Sequence, residues 1–190
     1  MPRRAIFVDR DGTLTEENGH VADASCLRLL PGSAAAIQRI NRAGWQAVIV
    51  TNQPGVALGL PSEDTLADIH ENLRLTLLED GNRVDGIYHC PHPADGSCVC
   101  RKPGIALFER ARDEMGIDLS TSFFVGDRVS DLQAAAACGM PSLLVRSGRG
   151  RETETKLSGL GLDPVGIVDT LEDAVKWVFE RPVTTEASAS

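Results

Sequence analysis

Phe7-Val8-Asp9-Arg10-Asp11-Gly12-Thr13-Leu14 runs from apolar residues straight into two carboxylates spaced i and i+2, with a glycine and a threonine directly after. Residues i and i+2 of a strand share a face, so both acids can be aimed at one site. Gly12 permits a sharp exit, and the amides around it can approach an anion closely. Neighbouring carboxylates oppose each other's ionisation unless a cation lies between them. Asp-Gly is also ordinary turn chemistry, so the stretch by itself leaves a solvated turn open. What lies downstream decides.

Ala5 to Asp9 reads as a short buried strand, and Trp45 to Thr51, rich in branched residues, as a second. Between them Pro31-Gly32-Ser33 opens a helix through Ala43, with Ser33 as N-cap and Gly44 as the stop. Ser62 to about Glu79 carries Leu66, Ile69, Leu73 and Leu77 at helical spacing. Val84 to Tyr88 reads as a strand, and a helix follows Pro103-Gly104 as far as Met115, closed by Gly116. Phe123 to Asp127, Ser142 to Val145 and a stretch near Ile167 read as further strands. Helices are expected over Asp131 to Cys138 and from Leu171 to about Phe179. This alternation predicts an α/β fold: a doubly wound, Rossmann-like parallel sheet with helices on both faces. One domain is expected over residues 1–181, with 182–190 as a flexible tail. In such folds ligands sit beyond the carboxyl ends of the strands, and Asp9, Thr51 and Asp127 all fall there.

The 190 residues suit one domain with a substantial core, and 42% hydrophobic with 24% charged residues is ordinary globular composition. A net charge of -8 argues against a general nucleic-acid or anionic-membrane surface, so phosphate should be met by a few placed cations. The N-terminal stretch lacks the features of a secretory signal, and no apolar run is long enough to span a bilayer. The expectation is a cytoplasmic monomer with neither nucleic acid nor membrane as partner.

Asp9 and Asp11, then Thr51 and Asn52, then Lys102, then Asp127 and Asp131 form a set at strand ends. Converging carboxylates need a cation, and oxygen-only ligands suit Mg²⁺. A hydroxyl and a lysine beside them can hold a phosphoryl group. A carboxylate nucleophile with a second acid two residues on can transfer phosphoryl through an aspartyl-phosphate. In combination and order the set resembles the haloacid-dehalogenase-like phosphohydrolases over nearly the whole chain. That resemblance implies Asp9 as nucleophile and Asp11 as general acid and base. It implies Mg²⁺ on Asp9, the backbone carbonyl of Asp11 and Asp127, with Asp131 in support. Thr51, Asn52 and Lys102 would bind substrate, and an acid at position 11 fits phosphatase rather than dehalogenase chemistry.

Cys90-Pro91-His92 and Cys98-Val99-Cys100 place four soft or borderline ligands in two close pairs, the pattern of a closed, structural Zn²⁺ site. With no export signal, an odd count of five cysteines, three of them crowded into one short segment, favours metal over disulfides. His89 is left outside the set, since Cys90-x-His92 mirrors Cys98-x-Cys100. A zinc loop directly before Arg101-Lys102-Pro103 resembles the branch of that family holding the D-glycero-D-manno-heptose-1,7-bisphosphate 7-phosphatases and the histidinol-phosphate phosphatases. Thr51-Asn52-Gln53 with Gly55-Val56-Ala57 supports the same branch, although Pro54 and Leu58 stand where the heptose enzymes usually have serine and arginine. The spacings leave no room for a large cap domain, so the zinc loop is expected to help exclude water. A heptose bisphosphate fits Arg101 and Arg128 flanking the pocket, whereas histidinol phosphate would prefer acids such as Glu16 and Glu17. A zinc-stapled binding module retaining the fold is the alternative of another class. Cys26 and Cys138 read as packing residues, His70-Glu71 as a helix surface pair, and Gly148-Arg149-Gly150-Arg151 as a solvated loop.

Overall fold

Ala5, Ile6, Phe7 and Val8 are all buried, as a strand covered on both faces requires. In the computed structural model, which describes residues 2–17, 19, 23, 26–93 and 98–180, this strand (β1, Ala5–Val8) lies at the centre of a parallel sheet. The other strands are β2 (Gln46–Asn52), β3 (Gly86–Cys90), β4 (Phe123–Gly126), β5 (Ser142–Val145) and β6 (Gly166–Val168). Their order is β3-β2-β1-β4-β5-β6, with Val8 in register with Ile49 on one side and Val125 on the other. The order of strands therefore reverses direction between β1 and β4, and the cleft at that switch opens beyond Val8 and Gly126.

Alternate residues of each strand face opposite layers. Ile6, Val8, Ile49 and Val125 pack with residues of α1 (Ser33–Arg42), α2 (Glu63–Glu79) and α7 (Leu171–Glu180). Phe7, Val48, Val50 and Phe124 face α3 (Ala106–Met115) and α4 (Val129–Ala137), with Phe108 tilted against both Phe7 and Phe124. Two short helices, α5 (Gly150–Glu154) and α6 (Leu157–Leu160), follow β5. The connections after β1 and β2 carry α1 and α2 and, among the described residues, no further folded unit over the cleft. Among those residues no helix is long and apolar enough to cross a membrane.

Several expectations from sequence need correction. Gly32, not Ser33, caps α1; Ser33 is buried and spends its hydroxyl on the carbonyl of Leu14, tying the helix to the turn that follows β1. Cys26 is exposed rather than packed. His70 is buried, because it lies on the same side of α2 as Leu66, Ile69 and Leu73. Gly148-Arg149-Gly150-Arg151 is a solvated loop only in part: Gly148, Arg149 and Arg151 are exposed, but Gly150 is buried where α5 begins, and the Arg149 amide packs on the carboxylate cluster. The expected tail, 182–190, lies outside the described residues.

Candidate active site

Strand β1 ends and Asp9 emerges into the cleft, its amide still bonded to the carbonyl of Val125 at 3.0 Å. Asp9 Oδ1 accepts from the amide of Arg10 and pairs with Lys102 Nζ, both at 2.8 Å. Lys102 is buried, and its remaining donors go to the carbonyl of Val50 at 2.8 Å and to Asp131 Oδ1 at 2.7 Å. Burial works against its ammonium, but Asp131 and Asp9 outweigh that and raise its pKa, so Lys102 is a cation locked between two acids. Asn52 holds Lys102 in place through a double clamp: Lys102 N donates to Asn52 Oδ1 at 3.0 Å, and Asn52 Nδ2 donates to the Lys102 carbonyl at 3.1 Å. Asn52 thus lines the cleft but spends its amide on positioning, which its expected substrate contact did not anticipate.

Asp127 follows β4 and is fully buried. Its Oδ2 accepts from the amide of Arg149 at 2.7 Å, while Oδ1 has no hydrogen-bond partner among the described residues. Gly148 makes this approach possible. At φ +53° a side chain there would be strained, and a Cβ would sit 2.2 Å from Asp127 Oδ2 and 2.6 Å from the Cα of Gly12. Gly12, at φ +85°, is closed off on its own side by the same carboxylate. Residues 12 and 148 are thus two backbone turns pressed onto one acid, and the second turn was the part of the site that sequence missed.

Asp9, Asp127 and Asp131 each bring a carboxylate oxygen within 4.8 Å of the others. A buried acceptor without a partner in an all-oxygen cluster is what a hard divalent cation satisfies, so these residues fit Mg²⁺. Asp131, expected only in support, stands in the cluster itself, and the side chain of Asp11 does not. Asp127 is pushed up to about 8, by burial first and then by Asp9 and Asp131. A carboxyl whose folded pKa lies above its unfolded one (about 3.9) gives stability that is full below that lower value and lost as pH rises through the folded pKa. A cation in the cluster relieves the loss and competes with the proton. The expected result is that the apparent Mg²⁺ affinity climbs by up to ~10-fold per pH unit towards pH 8 and levels off above it, read by calorimetry. A pH-independent affinity between pH 6 and 8 would contradict this reading of Asp127.

Asp11 turns its carboxylate to a different set of partners. Arg10 grips it with Nε at 3.0 Å and Nη2 at 2.9 Å, and Gln53 Nε2 donates to its Oδ2 at 2.7 Å. Gln53 also donates to Thr51 Oγ1 at 2.8 Å, so one amide joins the acid to the hydroxyl at the end of β2. Burial raises the pKa of Asp11, with Arg10 pulling the other way.

Around these residues lies a cleft of about 210 Å³, also lined by Arg101, Arg128 and Glu17. Arg101 carries a buried Nη1 with no partner among the described residues. Arg128 ion-pairs with Glu17, which also receives Arg149 Nε at 3.0 Å. Cys90, His92, Cys98 and Cys100 come together beside the cleft, their ligand atoms within 4.8 Å of one another. Four donors at that spread, each about 2.0–2.3 Å from a common centre, fit tetrahedral Zn²⁺. Cys90 closes β3, and its carbonyl accepts from Gln53 N at 2.7 Å, so the cluster is tied to Thr51-Asn52-Gln53 at one end and to Arg101-Lys102 at the other. His89 lies outside the cluster, against His70 and Glu63.

With this geometry in view, the chain's similarity to known proteins can be placed. The HAD-hydrolase-like family model matches residues 99–174. D-glycero-beta-D-manno-heptose-1,7-bisphosphate 7-phosphatase of Pasteurella multocida is 38% identical over 77% of this chain and 84% of that protein. Its counterpart from Escherichia coli O6:H1 is 38% identical over 76% of this chain and 80% of that protein. The crystal structure of D,D-heptose 1,7-bisphosphate phosphatase from Bordetella bronchiseptica complexed with magnesium and phosphate superposes with a TM-score of 0.84 at 35% identity, covering 93% of this chain and 98% of that one.

Proposed function

The chain belongs to the haloacid-dehalogenase-like hydrolases, and from that membership we propose that it is a Mg²⁺-dependent phosphatase that removes the 7-phosphate of D-glycero-D-manno-heptose 1,7-bisphosphate. The observation that carries the substrate is the pair of arginines on the cleft wall. Beyond Asp9, Thr51 and Lys102, Arg101 brings guanidinium to a second anionic group with a buried donor unspent among the described residues, and Arg128 lines the same cleft paired with Glu17. The acid that would have welcomed the ammonium of histidinol phosphate, Glu17, is already held by Arg128 and Arg149.

Asp9 attacks phosphorus as the bond to the C7 oxygen breaks, and Asp11 gives that oxygen its proton. Asp11, lifted by burial towards the protonated form, suits the donor role. It then takes a proton from water, which attacks the aspartyl-phosphate; orthophosphate leaves and Asp9 is restored. Thr51 and Lys102 orient the phosphoryl group meanwhile. Mg²⁺ held by Asp9, Asp127, Asp131 and the carbonyl of Asp11 supplies neutralising charge for the phosphoryl oxygens. We assign Zn²⁺ to Cys90, His92, Cys98 and Cys100 as a structural staple, and a cytoplasmic monomer as the working form.

The test compares kcat/KM for the two phosphate esters. The heptose bisphosphate is expected to be favoured by at least about 100-fold, the order that an unpaired buried cation costs the wrong substrate. A preference for histidinol phosphate would overturn the substrate and leave the chemistry standing. For the staple, Cys98→Ser is expected to lose about one equivalent of zinc per chain and to raise KM about tenfold through Arg101 and Lys102. Full zinc content, or an unchanged KM with the zinc gone, would count against it.

A further inference from the structure

Arg10 is the largest completely buried side chain among the described residues, and its guanidinium is shared between two partners. One edge grips Asp11, as described. The outward Nη1 lies 3.2 Å from Nε2 of His70, 60 residues away on α2. We propose that His70 is a positioning residue for the acid–base step: it accepts from Arg10 and so fixes the fork that aims Asp11 into the cleft. This inference rests on the phosphatase reading above.

A guanidinium has five donors and no acceptor, so a buried one needs an acceptor on each edge or carries an unmet polar group. Asp11 supplies one edge and His70 another. His70 can do so only as a neutral ring with a lone pair on Nε2. Burial, reinforced by the charge of Arg10, holds it in that form by lowering its pKa to about 3. His89 packs its ring 5.5 Å from that of His70 and is itself bonded to Glu63 at 3.0 Å, which limits how far His70 can turn. Asp11 is also held by Gln53, so the network has two anchors: Gln53 fixes it against Thr51 and Arg10 fixes it against α2. Neither Arg10 nor His70 lines the cleft. Loss of His70 should therefore loosen proton delivery while leaving nucleophilic attack intact.

That separation is measurable, because a proton donor matters for an alkoxide leaving group and hardly at all for p-nitrophenolate. His70→Leu removes the acceptor, and His70→Gln can return one near the position of Nε2. With a primary alkyl phosphate, the heptose bisphosphate, kcat/KM of His70→Leu is expected to fall about 10- to 30-fold, part of the 10²–10⁴ typical of general acid catalysis. With p-nitrophenyl phosphate it should stay within about twofold, since no proton is needed there. His70→Gln should recover most of the lost alkyl-ester activity. Arg10→Lys, which keeps a cation for Asp11 but loses the fork, should repeat the selective loss and gives a second reading if His70→Leu folds poorly. Equal losses on both esters, or no loss on either, would overturn the role of His70. Failure of the unmodified enzyme to hydrolyse any alkyl phosphate would instead remove the phosphatase reading, before any variant is compared.

Discussion

Replacing Asp9 with asparagine is expected to lower kcat by at least about 10⁴-fold while leaving the fold in place, because it removes the nucleophile and keeps its shape. Two opposing effects keep the stability change small. Lys102 loses one of its two carboxylate partners, which costs stability. Asp127 and Asp131, both pushed up by the charge on Asp9, are relieved of it, which returns some. The amide of Arg10 can still donate to the asparagine oxygen, so the turn at Gly12 should survive. Acid-quenched single turnover with labelled substrate separates the effect from mere misfolding. Label should appear on the unmodified protein and be missing from a folded Asp9→Asn. Normal turnover by that variant would defeat the aspartyl-phosphate route altogether.

Most of the sheet could be read from sequence for a simple reason. Strands β1, β2 and β4 each carry a run of apolar residues that ends abruptly in a polar one, and the polar one marks the cleft. Val8 to Asp9, Val50 to Thr51 and Gly126 to Asp127 all follow that rule. What could not be read depends on meetings between distant segments. His70 looks like a helix-surface residue beside Glu71, and only the rotation of α2 against the sheet turns it to Arg10. Gly148 and Arg149 look like loop chemistry, because nothing local says that Gly148 will press on Asp127 or that the Arg149 amide will bond to that acid, 22 residues before it. Asn52 was legible as a cleft residue but not as a clamp, since its partner is the backbone of Lys102. The clue available in sequence was the pairing of Gly12 with a second glycine-rich turn after a strand. Two chain reversals without side chains are what a buried carboxylate between them requires.

Lys102 is where the architecture and the chemistry depend on one side chain, and Lys102→Met tests both. The methionine fills similar space, so no large cavity is made. It leaves Asp9, Asp127 and Asp131 buried together with the cation gone, and removing one partner of a buried ionic group costs about 3–5 kcal/mol. Two carboxylates that shared an ammonium at 2.8 and 2.7 Å must then take up protons or open the cleft. The sign of the pH response follows. Protonation becomes the only local way to discharge the cluster, so the metal-free variant should gain more stability than the unmodified protein as pH falls from about 8 towards 5. Excess Mg²⁺ should restore part of the melting temperature at pH 8, because it brings charge to the same oxygens. It should not restore turnover: without the ammonium the nucleophile is not held and the phosphoryl charge is less compensated, and kcat/KM is expected to stay about 10³-fold down. Thermal melts at pH 5 and pH 8, with and without Mg²⁺, beside a rate measurement, would decide it. A variant equally stable at both pH values, or one whose rate returns with Mg²⁺ alone, would show that Lys102 is not what holds the three acids together.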